Sequence, residues 1–208
     1  RVQEIVDMVL SKENTYCIIN IQHDASTRAT RTDGAGWLRA DMTEYGPDGK
    51  SEELEEGKVP EYTSGKFKSL WLQIANRFKD YDQHLLFEAF NEILDKEDTW
   101  GDPKDKDAYK AITLLEQDFV NTVRSTGGNN EFRNLIVNTY SAGTSQEKLD
   151  NFQMPQDIHN NHLVASLHTY DPYNFCNDNG EYNVLVWSSE CEAEIDALKR
   201  TIADKNLD

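Results

Sequence analysis

His84–Glu92 reads HLLFEAFNE. Leucines and phenylalanines crowd around a single glutamate, and the run then closes on an amide and a carboxylate, Asn91 and Glu92. An apolar run of this length, rich in strand formers, predicts a buried strand over 84–90. Strands without polar alternation belong to parallel sheets, whose faces are covered by helices. Glu88 lies inside the run and is expected to be a structural, hydrogen-bonded carboxyl. Asn91 and Glu92 fall at the carboxyl end of the run, where a chain does not need two polar side chains merely to leave the core.

The same layout recurs on both sides. Val2, Ile5, Val6, Val9 and Leu10 recur at helical spacing and predict a helix over 1–11. TYCIIN then predicts a strand over 15–21. From Asp24 to Gly65 the chain is polar and glycine-containing, a length of connection that is usually functional in a compact domain. Its acidic run EELEEG, 52–57, reads as solvated surface. Phe67, Leu70, Trp71, Ile74 and Phe78 make a helical stripe within 66–80. DPKDKDAYKAITLLEQDFVNTVRSTGG, 102–128, predicts a helix with Asp105 or Asp107 as cap and Gly127-Gly128 as stop. NLIVNTY (134–140) and HLVASLHTY (162–170) read as strands, and SQEKLDNF (145–152) as a short helix capped by Ser145. VLVW (184–187) is an apolar segment without an assigned role. SSECEAEIDALKRTIADKN, 188–206, is a helix with a serine cap and an acidic first turn.

Strand and helix thus alternate four times, the signature of repeated βα units around a parallel sheet, either open and doubly wound or closed as a barrel. GxGxxG and GxxxxGKS/T are absent, so the nucleotide-binding versions lose support. Each strand carries conspicuous polar residues at its carboxyl end: Asn20-Ile21-Gln22-His23-Asp24, then Asn91-Glu92, then Asn138-Thr139-Tyr140, then His168-Thr169-Tyr170. In parallel α/β folds these ends gather at one face, where sites are built. Polar residues also mark where a strand simply leaves the core. That accounts for Asp24 or Asn138 better than for histidines, tyrosines and an Asn-Glu pair.

Glu92 is the sharpest candidate. A catalytic acid needs a raised pKa, which burial beside Phe90 would supply; the plain alternative is a surface glutamate opening the loop ILDKEDTWGD. His168 suits orienting a carboxylate, binding a hydroxyl, or filling a core position. Tyr170 suits stacking or packing. Trp37 and Trp100, in polar loops after strands, suit stacking on sugar rings or anchoring their loops. His84, His159 and His162 precede their strands and show no ligand spacing, so no metal is expected.

Composition bounds the partners. The chain has 208 residues, enough for one domain or part of a larger one. It is 38% hydrophobic and 28% charged, a balance that supports a sizeable core. Its formal net charge of −17 argues against nucleic acid or an anionic membrane as partner and tolerates a neutral ligand. No run approaches the roughly 18 apolar residues of a membrane span. Cys17 reads as a core residue; Cys176 and Cys191 are either paired or free.

YCIINIQHD, LLFEAFNE, LIVNTYSAG, NFQMP and HLVASLHTYDPYNF, in this order, resemble glycoside hydrolase family 5, nearest to its endo-β-1,4-glucanases. The resemblance covers essentially the whole chain. It implies a (β/α)8 TIM barrel, of which residues 1–208 are a partial catalytic domain spanning roughly strands 3–6. It implies a retaining mechanism with two carboxyls. Glu92 matches the acid/base, Asn91 the amide at the sugar 2-hydroxyl, and His168 and Tyr170 the pair that lines the site and positions the nucleophile. Gln22, His23, Trp37 and Tyr140 are expected on the substrate side.

Two departures stand out. Gln22 replaces a histidine usual in the family, and glutamine does not titrate. The nucleophile is expected on the strand after the last helix, beyond Asp208. Within the chain, Asp24, Asp171 and Glu190 are the carboxylates to weigh, and none is expected to substitute. The resemblance implies a secreted, monomeric enzyme acting on β-glucan without a cofactor. The alternatives are a carbohydrate-binding or catalytically weakened barrel, and an unrelated α/β enzyme acting on small molecules.

Overall fold

The computed structural model describes residues 1–22, 37–45, 51–54, 58–176 and 187–205. Helix α1 (Val2–Leu10) leads into strand β1 (Cys17–Asn20). A hairpin of β2 (Thr43–Tyr45) and β3 (Ser51–Glu53) follows, then α2 (Glu61–Phe78) and β4 (Leu85–Glu88). The remainder runs α3 (Asp107–Ser125), β5 (Leu135–Asn138), α4 (Gln146–Asn151), β6 (Leu163–Ser166), α5 (Tyr173–Cys176) and α6 (Ser189–Lys205). Strands β1, β4, β5 and β6 form one sheet in that order, every pair parallel.

The register sorts side chains onto two faces. Leu85, Phe87, Leu135 and Val137 are buried toward the helices, with Phe67, Trp71 and Phe78 of α2 and Leu115, Phe119 and Val123 of α3. Trp71 stacks at 4.5 Å from Phe119 and 5.5 Å from Phe87. On the other face, Ile18 and Val164 remain 54% and 46% exposed. In a closed barrel that face meets side chains from the other strands. The same face carries Asn20, Glu88 and Asn138 at its carboxyl end. Asn20 and Asn138 each donate a side-chain amide to Glu88, at 2.9 and 3.1 Å, so the expected structural carboxyl is there. Behind β5, buried Glu116 accepts the Asn138 N–H at 2.6 Å. Burial pushes its carboxyl well above the usual range, against the pull of that bond.

The amino ends of the strands are held by arginine. Arg124 pairs with Asp157 at 2.7 Å, both side chains 4% exposed, and also donates to the Asn130 and Arg133 carbonyls. His84, His159 and His162 lie at this end, as their sequence positions predict; His84 faces Tyr16 with centroids 4.8 Å apart.

Several boundaries differ from the sequence reading. Helix α2 starts at Glu61, inside the expected loop, because Thr63 and Ser64 are buried there and Gly65 sits within the helix. Glu52 and Glu53 of the acidic run lie in β3, paired antiparallel with β2. Gly127 and Gly128 stop α3 in the left-handed region (φ +65° and +61°), and a Cβ on Gly128 would lie 3.2 Å from the Lys79 carbonyl. Ser188 caps α6 at Cys191 N–H (3.4 Å). His23, Asp24 and Val184–Val186 lie outside the described residues. Cys17, Cys176 and Cys191 are all free.

Candidate active site

Strand β4 ends at Glu88, so Asn91 and Glu92 lie past its last paired residue rather than closing the strand. The chain beyond is nonetheless fixed. Ala89 N–H bonds the Ile136 carbonyl at 2.9 Å, and Asn91 N–H bonds the Ile21 carbonyl at 3.0 Å. The Trp71 indole donates to the Ala89 carbonyl at 3.1 Å, and Ile93 is buried. Glu92 is thus presented from an anchored backbone, which limits the entropy lost on fixing its side chain.

His168, two residues past β6, reaches the same point. Its Nδ1 lies 2.7 Å from Glu92 Oε1, a charge-assisted distance, with side chains 31% and 12% exposed. Its own N–H donates to the Ala142 carbonyl at 2.7 Å. The resemblance assigns His168 to positioning the nucleophile; in this structure its ring is on the acid candidate. Glu92 and His168 sit in a cleft of about 660 Å³ whose walls include Trp100, Tyr170, Ser141 and Lys148. Trp100 and Tyr170 are 55% and 57% exposed. Exposed aromatics beside a partly buried carboxylate suit the apolar faces of sugar rings.

Not every expected residue is in this cleft. Tyr140 is a correction: it is 1% exposed, and its hydroxyl accepts the Asp95 N–H at 3.1 Å and donates to the Thr99 carbonyl at 2.7 Å. Its ring therefore supports the 95–99 loop from behind. Burial pushes its phenol well above the ordinary range. Tyr140→Phe is expected to cost about 1–2 kcal/mol through the unsatisfied loop groups, read as a drop in thermal midpoint. Trp37 is likewise not among the cleft walls: it packs on the core with the Lys66 ammonium 4.2 Å from its ring centroid. Of the two loop tryptophans, Trp100 is the one that lines the cleft. Gln22 is exposed, two residues past the end of β1. Glu190 is exposed in the first turn of α6, and Asp171 is exposed and bonded to Thr169.

Several cleft residues carried no signal in the sequence, Lys148 and Gly143 among them. Lys148, 5% exposed, donates to the Trp100 carbonyl and to Ser141 Oγ, both at 2.8 Å. Gly143 lies against it: a Cβ there would fall 2.6 Å from Lys148 Nζ. A second cleft of about 700 Å³ opens at the amino end of the strands, by Asp7, Asp80 and His84, away from these groups. Among the described residues, no cluster of three or more histidine, cysteine or acidic side chains suits a metal ion.

Comparison with known proteins agrees with this geometry. The sequence model of the cellulase family, glycosyl hydrolase family 5, matches residues 1–208. Endoglucanase A of Ruminococcus albus is 30% identical over 214 residues, covering 100% of this chain and 50% of its own length. A family 5 enzyme of Prevotella bryantii B14, solved with a xyloglucan tetradecasaccharide, superposes with a TM-score of 0.79 at 39% identity, over 98% of this chain and 51% of that one. A family 5 lichenase of Caldicellulosiruptor sp. F32, solved with cellotetraose, gives 0.73 at 33% identity, over 98% and 52%. The chain thus spans about half the length of the relatives it matches. Its parallel sheet and helices are the corresponding part of a (β/α)8 barrel. With Glu92 and His168 paired at the carboxyl face of that sheet, the chain belongs to glycoside hydrolase family 5.

Proposed function

We propose that the full-length protein is an endo-acting, retaining hydrolase of β-1,4-glucans, with Glu92 as acid and base. The observation that carries this is the 2.7 Å contact of His168 with a mostly buried Glu92 inside a cleft walled by Trp100 and Tyr170. The relatives are endoglucanases, a lichenase and a xyloglucan-bound enzyme, which supports glucan as the substrate class. A neutral polymer suits a chain of net charge −17. Secretion belongs to the same proposal, since such a polymer is too large to cross a membrane.

In the first step Glu92, as the carboxylic acid, gives its proton to the glycosidic oxygen. A second carboxylate, supplied from outside these residues and about 5 Å from Glu92, attacks the anomeric carbon as the bond to that oxygen breaks. In the second step Glu92, now a carboxylate, takes a proton from water. The water oxygen attacks the anomeric carbon and the enzyme ester leaves as carboxylate. His168 holds Glu92 through both states: its Nδ1–H donates to the carboxylate after proton transfer, and before it the acid proton sits on the other oxygen. In this reading Asn91 meets the sugar 2-hydroxyl, as the family resemblance implies, and Trp100 and Tyr170 carry neighbouring sugar rings.

Proton NMR of cellotetraose cleavage by the full-length protein tests this reading. The first-formed reducing end should be the β anomer, converting to the α form only by mutarotation. An α anomer formed first, or binding without cleavage, contradicts the proposal; the latter would favour a binding barrel.

A further inference from the structure

We propose that Lys148 is a positioning residue of the cleft, whose ammonium holds the Trp100 platform in register with the turn that carries His168. The inference rests on the glycosidase reading and extends it to a residue whose type and place in the sequence give no hint of a role.

Lys148 belongs to a short helix docked on the start of α3. Glu147 beside it accepts hydrogen bonds from Lys106 and from the Tyr109 hydroxyl (2.9 Å), and the capping Ser145 bonds Asp102. The helix is therefore fixed, and so is the origin of the lysine chain. That chain passes over Gly143, where any side chain would collide with it. It ends on two acceptors from different segments: the Trp100 carbonyl of the β4–α3 loop and the Ser141 hydroxyl of the β5–α4 loop. Burying an ammonium is costly unless it is well bonded, so a buried lysine joining two loops is an expensive tie.

The Ser141 end is itself unusual. Ser141 and Ala142 both occupy the left-handed region, φ +49° and +52°, without being glycine. Such backbone is strained for a residue with a side chain and persists only when its surroundings demand it. The constraints here are Thr139 Oγ1 on the Gly143 carbonyl (2.6 Å), Lys148 on Ser141 Oγ, and the His168 N–H on the Ala142 carbonyl (2.7 Å). The last bond is what joins the turn to catalysis, because His168 is the residue on Glu92. One ammonium thus sets the spacing between an aromatic wall of the cleft and the histidine that aims the acid.

The test is Lys148→Met in the full-length protein, which keeps the side-chain bulk and removes the donors. Cellotetraose kinetics and tryptophan fluorescence are measured together, with Trp100→Phe identifying the Trp100 component of the ligand-induced change. We expect KM to rise about tenfold with kcat changed less, and the Trp100 component to shrink. Native KM with a native fluorescence response overturns the proposal. So does a lower thermal midpoint with KM unchanged, since that is a purely structural role. If Lys148→Met does not fold, Lys148→Gln, too short to reach both acceptors, is judged by the same two readouts. A wild-type protein that neither binds nor cleaves cellotetraose overturns the glycosidase reading itself. A wild type that does both beside an indistinguishable variant overturns only the role of Lys148.

Discussion

Replacing Glu92 by glutamine is expected to lower kcat for cellotetraose about 10³-fold while leaving its binding nearly unchanged. The magnitude is that of a lost general acid and base in a reaction whose leaving group is a poor alkoxide. Binding survives because glutamine keeps the shape of the side chain and an oxygen for His168, 2.7 Å away in the native pair. The loss should depend on the leaving group. A sugar hydroxyl needs the proton and suffers the full loss, whereas an aryl leaving group departs as a stable anion and suffers less in the first step. For such substrates the second step, in which Glu92 would deprotonate water, becomes limiting, and a burst of released phenol should precede a slow steady state. Isothermal titration and stopped-flow absorbance read the two parts separately. Retained hydrolysis of cellotetraose by Glu92→Gln would remove Glu92 from the chemistry.

The largest effect on stability is expected from Arg133→Met. Arg133 is 2% exposed and ties together the connection between α2 and β4. It donates to the carbonyls of Phe78 (3.1 Å), Tyr81 (2.7 Å), Asp82 (2.9 Å) and Leu85 (2.5 Å), and to the Asn130 side chain (2.7 Å). Its guanidinium also lies 4.8 Å from the Phe87 ring centroid. Burial lowers its pKa to about 10, with Asp82 pulling the other way, so it stays charged at neutral pH. Methionine fills much of the space but leaves these acceptors without a donor, several of them buried. At about 1–3 kcal/mol for each unsatisfied group, discounted for relaxation and water entry, the loss should be on the order of 5 kcal/mol. That is a large share of the stability of an ordinary domain. Lysine should rescue little, since one compact ammonium cannot span a fork of acceptors. Urea unfolding of the full-length protein checks this, and KM of the folded fraction should be native because Arg133 lies at the opposite end of the strands from Glu92. A loss under 1 kcal/mol would show that the network contributes little net stability.

The architecture was legible because its signals are collective. Four apolar runs, each followed by a helical stripe, admit few arrangements, and the parallel order of β1, β4, β5 and β6 is one of them. The meeting of Glu92 with His168 was legible for the same reason, since parallel strands bring their carboxyl ends to one face. What failed was local. The strands are shorter than their apolar runs, so Asn91, Glu92 and His168 stand on anchored loops rather than on strand ends. Tyr140 was misplaced because the left-handed pair Ser141-Ala142 follows it, and non-glycine residues give no warning of such a turn. Trp37 and Trp100 look alike in sequence; only packing shows Lys66 against one and open space beside the other. The hairpin of β2 and β3 was hidden by acidic residues with low strand propensity. Lys148 gave no signal because a lysine in a polar helix is ordinarily solvated.

Azide rescue of Glu92→Ala tests the central claim most directly. Removing the carboxylate leaves space at the anomeric carbon and no base to activate water, so a small anion that needs no deprotonation can take the place of water. With an aryl β-cellobioside as substrate, the account predicts that azide restores turnover of the variant and leaves the wild type unchanged. It also predicts that the product is the β-glycosyl azide. An α-glycosyl azide would make Glu92 the nucleophile, and a folded variant that turns over the substrate at the wild-type rate without azide would mean that Glu92 is not the acid and base.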